Sequence, residues 1–392
     1  MGDQARILGD CDPRFARVRE AFEKNFRDSE GIEGGEVGAA VAVVIDNRPV
    51  VDLWGGFADA ARTCPWERDT IVNVYSTTKG MTALCAHRLV EQGRLDPDAP
   101  VAEYWPEFAQ AGKEGVPVSY LLSHRAGLPA VRKPLPADAL FDWELMTGAL
   151  AEQEPWWEPG TKHGYHALTF GYLVGEVVRR IDGRSLGRFF KEEVAEPLGV
   201  DFHIGLGAEH DARVADMLPA PQPPAGTPNP FADMAKDPES MASKAFNNPG
   251  SDPGTVNTRA WRAAEIPAGN GHGDARGLAR VYGALAATGE ADGIHVLGVE
   301  ARDRAIVEHA SGPDAVLFGM PMRFGLGFFL TQPMIPLGPN PRAFGHPGAG
   351  GSIAFADPDA KLAFAYVMNQ MQMGLAGDAR GFGLIQSVYD AL

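Results

Sequence analysis

Hydrophobic and polar positions along the chain follow a helical period in the middle and strand-like patterns towards both ends. Residues 13–28 place apolar side chains at helical spacing, which predicts an amphipathic helix near the start. Residues 38–46 and 49–56 are rich in small and β-branched side chains, with a turn at Asn47-Arg48 between them. These two segments therefore predict a β-hairpin.

Helical patterns dominate the long stretch that follows this hairpin. The predicted helices cover residues 77–92, with Gly93 as the stop, and residues 118–124, 138–152, 166–181 and 273–288. Strand patterns return over residues 325–331, 350–356 and 361–368, and a closing helix is predicted over residues 378–391.

The order of these elements predicts an α/β (α+β) fold, in which strands from both ends of the chain form one antiparallel sheet flanked by helices. The sheet domain is then discontinuous and covers residues 1–85 and 270–392. Residues 86–269 form an inserted, mostly helical domain. Within it, residues 205–260 are rich in Pro, Gly, Asn and Asp. Such a stretch is typical of a long surface loop, which is either a functional lid or a connection without a role.

Composition and charge narrow the class of protein. The 392 residues are 45% hydrophobic and 22% charged, as in ordinary globular proteins. A formal net charge of −16 disfavours nucleic acid and anionic membranes as partners and favours a small molecule. No run of about 18 apolar residues predicts a membrane span, and the N-terminus lacks the apolar core of a signal peptide. We therefore expect a cytoplasmic protein, either a monomer or a homodimer.

The cysteines do not predict a disulfide framework or a metal site. Only Cys11, Cys64 and Cys85 are present, an odd number without regular spacing. No Cys/His cluster has the spacing of a zinc site. The sequence therefore predicts no metal and no organic cofactor.

The first candidate catalytic pair is Ser76 and Lys79, at the start of the helix predicted over residues 77–92. A serine hydroxyl is a weak nucleophile until a base removes its proton. A helix brings Lys79 onto the same face as Ser76, and burial can lower the pKa of a lysine enough to make it a base. The helix N-terminus also directs backbone N–H groups at the serine. By itself, the S-x-x-K spacing is equally typical of a helix cap followed by a solvated lysine.

Two further segments carry groups that could complete such a site. Tyr165 follows a Pro159-Gly160 turn, and its phenol could relay the serine proton to the leaving group, although it is also typical of a core tyrosine. The second segment, at 344–352, has the sequence F-G-H-P-G-A-G-G-S. Its glycines allow close approach to the backbone, and one of its N–H groups could form an oxyanion hole with that of Ser76. The alternative is a glycine-rich edge strand or bulge.

The order of these motifs resembles that of the class C β-lactamase and penicillin-binding-protein superfamily of serine hydrolases. Residues 69–80, the sequence L-L-S-H-R-A-G-L at 121–128, the Pro159-Gly160-Thr161 turn and the N-G-H-G sequence at 270–273 resemble its local signatures. The resemblance covers roughly residues 35–390. It implies that Ser76 is the nucleophile and that Lys79 and Tyr165 share the base and acid work. It also implies an oxyanion hole formed by the N–H groups of Ser76 and Ala349.

Two motifs depart from the β-lactamases and resemble the esterase branch, the family VIII carboxylesterases. The Y-x-N motif of the β-lactamases is Tyr165-His166-Ala167 here, without the Asn, and their K-T-G motif is His346-Pro347-Gly348. Histidine is mostly neutral at pH 7, so both changes weaken recognition of an anionic amide. The resemblance thus favours a serine carboxylesterase that hydrolyses short-chain acyl esters. The alternatives are a β-lactamase or D-amino-peptidase-like amide hydrolase, an acyltransferase, or a non-catalytic binding domain.

Substrate contacts are predicted only from their position beside these motifs. The candidates are His166, His346, Gly348, Trp156 and Trp261, and the two tryptophans could equally be packed in the core. His124, in the 121–128 signature, is expected to be structural. A lipase-like α/β-hydrolase is disfavoured because no serine has the G-x-S-x-G spacing of that class.

Overall fold

Strands from the two ends of the chain lie side by side in one antiparallel sheet. The computed structural model describes residues 6–27, 35–222, 236–252 and 254–392. The strands in these ranges are β1 (Ile7–Cys11), β2 (Gly38–Ile45), β3 (Arg48–Gly56), β4 (Val72–Asn73), β5 (Phe202–His203), β6 (His272–Gly273), β7 (Glu290–Ala291), β8 (Ile294–His295), β9 (Ala310–Pro313), β10 (Pro321–Phe324), β11 (Phe329–Leu330), β12 (Phe344–Pro347), β13 (Ile353–Asp357) and β14 (Leu362–Met368). The main sheet has the order β1-β3-β2-β14-β13-β12-β11-β10-β9.

The pairing of β2 with β14 joins the two halves of this sheet. Its register runs antiparallel from Ala39 opposite Met368 to Ile45 opposite Leu362. Every residue of β14 is buried, and successive side chains point to opposite faces. Helices therefore cover the centre of the sheet on both sides, which confirms the predicted fold class.

The helices lie mainly between the two groups of strands, as the sequence pattern predicted. They are α1 (Ala16–Arg27), α2 (Thr78–Glu91), α3 (Val101–Tyr104), α4 (Val118–Leu122), α5 (Trp143–Glu152), α6 (Thr169–Asp182), α7 (Leu186–Phe190), α8 (Glu196–Leu198), α9 (Met241–Asn247), α10 (Arg259–Ala263), α11 (Ala275–Ala286), α12 (Val299–Ala305) and α13 (Ala379–Tyr389). In the described ranges, no helix is both long enough and apolar enough to cross a bilayer.

Helix α2 is buried on nearly all sides. It packs against α6 and α7 of the helical region on one side and against β12 of the main sheet on the other. This position explains its weak amphipathic pattern, because a helix enclosed by protein needs no polar face. Its first turn is therefore held where the helical region meets the sheet.

The hairpin turn lies one residue earlier than predicted. Asp46 and Asn47 form it, with φ values of 48° and 61°, so Arg48 already belongs to β3. Two consecutive left-handed residues match the twist of a hairpin, and Asp and Asn tolerate that conformation better than arginine does.

Two of the strands predicted near the end of the chain are shorter than expected. Only Phe329 and Leu330 of residues 325–331 pair in the sheet, because Gly327 adopts a left-handed φ of 84°. Residues 350–352 lie outside β13, because Gly350 and Gly351 have φ values of 82° and 131° within a short 3-10 turn, Ala349–Gly351. Left-handed glycines interrupt the strand, and that interruption places a turn beside the start of α2.

The division into a sheet domain and a helical domain stays a prediction. Helices α3 to α10 fall within residues 86–269, but β5 from this stretch pairs with β6, which in turn pairs with β4. Residues 205–260 contain helix α9, the first two residues of α10 and two 3-10 turns, Ala208–Arg213 and Thr255–Asn257. Residues 223–235 and residue 253 of this predicted loop lie outside the described residues.

Candidate active site

Ser76 lies in a tight turn between β4 and α2. Tyr75, the preceding residue, has a left-handed φ of 45°, a conformation that costs energy for a bulky side chain. The Thr78 hydroxyl stabilises the turn by donating to the Tyr75 carbonyl at 2.5 Å and accepting from the Gly271 N–H at 2.8 Å. A β-carbon at Gly271 would lie only 2.6 Å from that hydroxyl. The N-G-H-G segment therefore supports the serine turn through its backbone.

Lys79 is completely buried, and its amine lies 3.2 Å from Ser76 Oγ. The same Nζ donates to the main-chain carbonyls of Ala167 at 2.7 Å and Ala268 at 2.8 Å. Burial lowers the pKa of the Lys79 amine well below its usual range. A neutral amine has two N–H bonds and one lone pair. Because the two carbonyls accept the two N–H bonds, the lone pair is left for the Ser76 hydroxyl.

Tyr165 is the third group at this point. Its hydroxyl interacts with Ser76, and burial raises the pKa of the phenol above its usual value. Its ring also lies beneath the lysine, with Lys79 Nζ 4.8 Å from the ring centroid. The structure therefore brings together the three residues that the sequence predicted, although they are 89 positions apart at most, between Ser76 and Tyr165. Burial moves the pKa of the amine and that of the phenol in opposite directions.

A buried set of histidines holds the Tyr165 loop. His166 donates from Nδ1 to the Gly164 carbonyl at 2.7 Å and accepts the Leu128 N–H at Nε2, at 3.1 Å. The backbone N–H of His166 donates to His124 Nδ1 at 3.1 Å, and the ring centroids of His124 and Tyr165 are 5.1 Å apart. Both ring nitrogens of His166 thus bind the protein, which leaves none for the predicted substrate contact. His124 binds the backbone of the Tyr165 loop and packs against the Tyr165 ring, which agrees with the structural role expected of it.

Asp314 also positions Tyr165, and the sequence analysis did not identify it. Its buried Oδ1 accepts the N–H groups of Tyr165 at 3.1 Å and of Val316 and Leu317 at 2.8 Å each. Its Oδ2 lies 3.8 Å from Nε2 of the buried His163. No local motif marks this carboxylate, because it meets the tyrosine loop only through the tertiary fold.

The indole N–H groups of the two predicted tryptophans bind other parts of the protein, not Ser76. The Trp261 indole N–H donates to Asn73 Oδ1 at 3.0 Å, and the residue is buried. The Trp156 indole N–H donates to the Ala130 carbonyl at 2.8 Å, and the Arg132 guanidinium lies 3.7 Å from its ring centroid. Their contacts with a substrate stay predictions.

The glycine-rich segment lies directly against the serine turn. Ser352 Oγ donates to the Val74 carbonyl at 2.8 Å and lies 3.2 Å from Thr77 Oγ1. A β-carbon at Gly348 would lie 3.0 Å from Thr77 Oγ1 and closer still to the Val74 carbonyl and the Ser352 hydroxyl. Gly348 is therefore needed for the close approach that brings Ala349, the first residue of the 3-10 turn, beside the Ser76 turn.

His346 lies on β12 and is buried. Its Nδ1 is 2.6 Å from the Pro347 carbonyl, which can only accept, so Nδ1 carries the proton. Among the described residues, its Nε2 has no hydrogen-bond partner. Burial lowers the pKa of His346 to about 3. At neutral pH the ring is uncharged, and it presents a lone pair rather than a proton.

A single family model matches a stretch of the chain that contains every residue of this site. The family model described as Beta-lactamase matches residues 18–384. The chain is similar to a curated protein of Mycobacterium tuberculosis, "Esterase/beta-lactamase LipL". The two are 40% identical over 375 residues, which cover 93% of this chain and 83% of the relative.

Solved structures give the same result for the fold. The crystal structure of a family VIII carboxylesterase is 44% identical and has a TM-score of 0.90, with 99% of this chain and 100% of that chain covered. A penicillin-binding protein homologue from Caulobacter crescentus is 42% identical with a TM-score of 0.89, over 99% and 100% of the two chains. EstA from Arthrobacter nitroguajacolicus is 34% identical with a TM-score of 0.85, over 97% of each chain.

Proposed function

Because the chain belongs to the Beta-lactamase family and is a serine hydrolase, we propose that it is a carboxylesterase that hydrolyses short-chain acyl esters through an acyl-enzyme on Ser76. The observation that carries this proposal is the buried Lys79 amine, 3.2 Å from Ser76 Oγ and bound by two carbonyls. A charged ammonium there would be held out of water by only the uncharged oxygens of Ala167, Ala268 and Ser76, which costs more free energy than burying a neutral amine.

The acylation step follows from this arrangement. Lys79 Nζ accepts the Ser76 proton while Oγ forms a bond to the acyl carbon of the ester. The negative charge that develops on the carbonyl oxygen is stabilised by the N–H groups of Ser76 and Ala349. As the C–O bond of the ester breaks, the neutral Tyr165 phenol donates its proton to the leaving alkoxide and is reprotonated from Lys79.

Deacylation uses the same groups with water in place of the alcohol. A water molecule gives a proton to the Lys79–Tyr165 pair and attacks the acyl carbon. The bond to Ser76 Oγ then breaks, and the serine regains its proton while the carboxylic acid leaves. Because burial moves the pKa of Lys79 down and that of Tyr165 up, Lys79 is the base and Tyr165 is the proton donor.

The third motif supports esters over β-lactams. A β-lactam carries a carboxylate, and a cation or a hydrogen-bond donor is needed to bind it. His346 is neutral, and its Nε2, which has no partner in the part of the chain that the structure describes, can only accept a hydrogen bond, so it disfavours a carboxylate. Ala167 offers Lys79 its main-chain carbonyl but has no side-chain amide that could bind the amide of a lactam side chain.

The test compares esters with a β-lactam on matched variants. Wild type, Ser76→Ala and Ser387→Ala are assayed with p-nitrophenyl acetate, butyrate and octanoate, and with nitrocefin. Ser387 is a partly exposed serine of α13 whose hydroxyl donates to the Gly383 carbonyl of its own helix, so its loss is a control for the substitution itself. We expect ester cleavage that is lost only in Ser76→Ala. Dominant nitrocefin turnover would instead favour β-lactam hydrolysis, the activity that the name of LipL also includes. Ester cleavage retained in Ser76→Ala would refute the assignment of the nucleophile.

A further inference from the structure

A buried arginine supports the turn that carries the Ala349 amide. The side chain of Arg380, at the start of α13, is completely inaccessible to solvent. Its guanidinium donates to two carboxylates and two main-chain carbonyls: Glu36 at 3.0 Å, Asp378 at 2.7 Å, Gln370 O at 2.9 Å and Gly350 O at 2.9 Å. The last of these acceptors belongs to the residue that follows Ala349.

The hydrogen bonds of the turn fix the direction of the Ala349 N–H. The Gly348 carbonyl accepts the Gly351 N–H at 3.3 Å, so it points into the turn. In a trans peptide the N–H of the next residue points the opposite way, which directs the Ala349 N–H out of the turn. The Gly350 N–H donates to the Gly374 carbonyl at 3.1 Å, and the Gly350 carbonyl accepts the Gln372 N–H at 3.0 Å in addition to Arg380.

The guanidinium is packed directly against this backbone. A β-carbon at Gly351 would lie 2.7 Å from Arg380 Nη2 and would also collide with the Asp378 carboxylate. Gly350 and Gly351 both have left-handed φ values, which ordinary residues adopt only at a cost. Contacts from outside the turn therefore stabilise its shape, and the Arg380 guanidinium supplies a charged contact of this kind, to the Gly350 carbonyl.

A second layer holds Arg380 itself. Glu36 is buried and accepts a hydrogen bond from the Tyr366 hydroxyl on β14 as well as from Arg380. The planar guanidinium can bind Glu36, Asp378 and two carbonyls at once because its five N–H donors have a fixed geometry. A lysine at this position could not reach all four acceptors.

We propose that Arg380 is a positioning residue of the oxyanion hole, which fixes the 349–351 turn so that the Ala349 N–H is directed at the oxyanion of the Ser76 adduct. This inference rests on the proposed function, because it takes Ala349 as the second N–H group of the hole. Arg380 touches neither substrate nor nucleophile. Arg380 acts through its hydrogen bond to the Gly350 carbonyl, which holds the Ala349 N–H in place. That N–H binds the oxyanion most strongly in the transition state.

The test is Arg380→Lys, with Arg302→Lys as the matched control. Arg302 is also a buried arginine that donates to two main-chain carbonyls, those of Leu285 and Ala287 at the end of α11. The readouts are kcat and KM for p-nitrophenyl butyrate and the inhibition constant of phenylboronic acid, which adds to the serine as a tetrahedral anion. All are measured well below the unfolding temperature of each variant.

We expect Arg380→Lys to lower kcat by about 10- to 100-fold and to weaken the boronic acid by a similar factor, while KM changes by less than about threefold. Arg302→Lys should leave kcat and the inhibition constant within about twofold. Unchanged kcat and boronic acid affinity in folded Arg380→Lys would overturn the proposal. If that variant does not fold, Tyr366→Phe replaces it, with about a threefold or larger loss expected in both quantities, and no loss would again overturn the proposal.

Different results would contradict the proposed function and the proposed role of Arg380. A wild-type protein that neither cleaves esters nor binds the boronic acid contradicts the proposed function. A wild-type protein that does both, with Arg380→Lys equal to it, contradicts only the role of Arg380.

Discussion

Gly348→Ala is predicted to impair catalysis through one added methyl group. The backbone of Gly348 has φ −118° and ψ 157°, which alanine adopts without strain, so the effect is purely steric. The new β-carbon would lie 3.0 Å from Thr77 Oγ1 and closer to the Val74 carbonyl oxygen and Ser352 Oγ. Two of these atoms can rotate away, but the Val74 carbonyl belongs to the backbone of the serine turn.

The size of the effect follows from the displacement that is needed. Carbon contacts are most favourable at about 3.5–4.0 Å, so the end of β12 and the serine turn must separate by roughly 1 Å. A misplacement of that size can lower turnover by about 100-fold, because it moves the Ala349 N–H away from the Ser76 adduct. Overpacking of this kind typically costs about 1–3 kcal/mol of stability, which leaves a folded enzyme to assay.

The assay measures kcat and KM with p-nitrophenyl butyrate and the unfolding temperature of Gly348→Ala and Gly148→Ala. Gly148 lies on α5, where a β-carbon would have no neighbour within 4 Å. That control should be more stable by about 0.5–1 kcal/mol, because alanine favours a helix over glycine, with unchanged kcat. A Gly348→Ala enzyme with wild-type kcat would refute the claim that this contact sets the geometry of the oxyanion hole.

Three further predictions concern the two proton-transfer groups and one buried carboxylate. Lys79→Met and Tyr165→Phe should each lower kcat by about 100-fold or more; near-wild-type turnover in either would remove that residue from the mechanism. Because the pKa of Lys79 is lowered and that of Tyr165 is raised, kcat/KM should rise with pH to a plateau that persists through pH 9, and a fall between pH 7 and pH 9 would contradict these roles. Burial raises the pKa of Glu36 to about 7, against the opposing effect of Arg380, so the folded state binds its proton more tightly than the unfolded state does. The free energy of unfolding should therefore decrease as pH rises from about 5 through 7, by up to about 1.4 kcal/mol per pH unit from this group, and urea denaturation of Glu36→Gln should show a flatter pH dependence.

Local spacing predicted that Ser76 and Lys79 lie close together at the start of α2, but it did not distinguish a catalytic pair from a helix cap followed by a solvated lysine. Ser76 and Lys79 are three residues apart, so a helix alone brings them onto one face. The position of Tyr165 beside them depends on the packing of the helical region against the sheet, which no local pattern records. The sequence supplied this third residue only through the order of motifs that a known superfamily shares.

Residues that act through long-range contacts could not be predicted. Asp314 meets the Tyr165 loop across 149 positions, and Arg380 reaches Gly350 across 30 and Glu36 across 344. None of them lies in a spacing that suggests chemistry. No motif predicts a role for Ser352, yet its hydroxyl joins the glycine-rich segment to the serine turn.

Neighbourhood in sequence was a poor guide to side-chain direction. His166 follows Tyr165 and was expected to contact the substrate, but a backbone loop turns adjacent side chains to different sides. Its ring is directed into the protein, where Gly164 and Leu128 bind both nitrogens. The strand predicted over residues 350–356 likewise begins only at Ile353, because Gly350 and Gly351 form a turn before it.

The most direct test of the central claim is to trap the acyl-enzyme and locate it. The protein is mixed with p-nitrophenyl butyrate and quenched in acid within the first turnover, and the digested peptides are analysed by mass spectrometry. The account predicts a butyryl group on Ser76, absent from Ser76→Ala. Ester turnover with the butyryl group on another residue, or with an adduct that persists in Ser76→Ala, would contradict it.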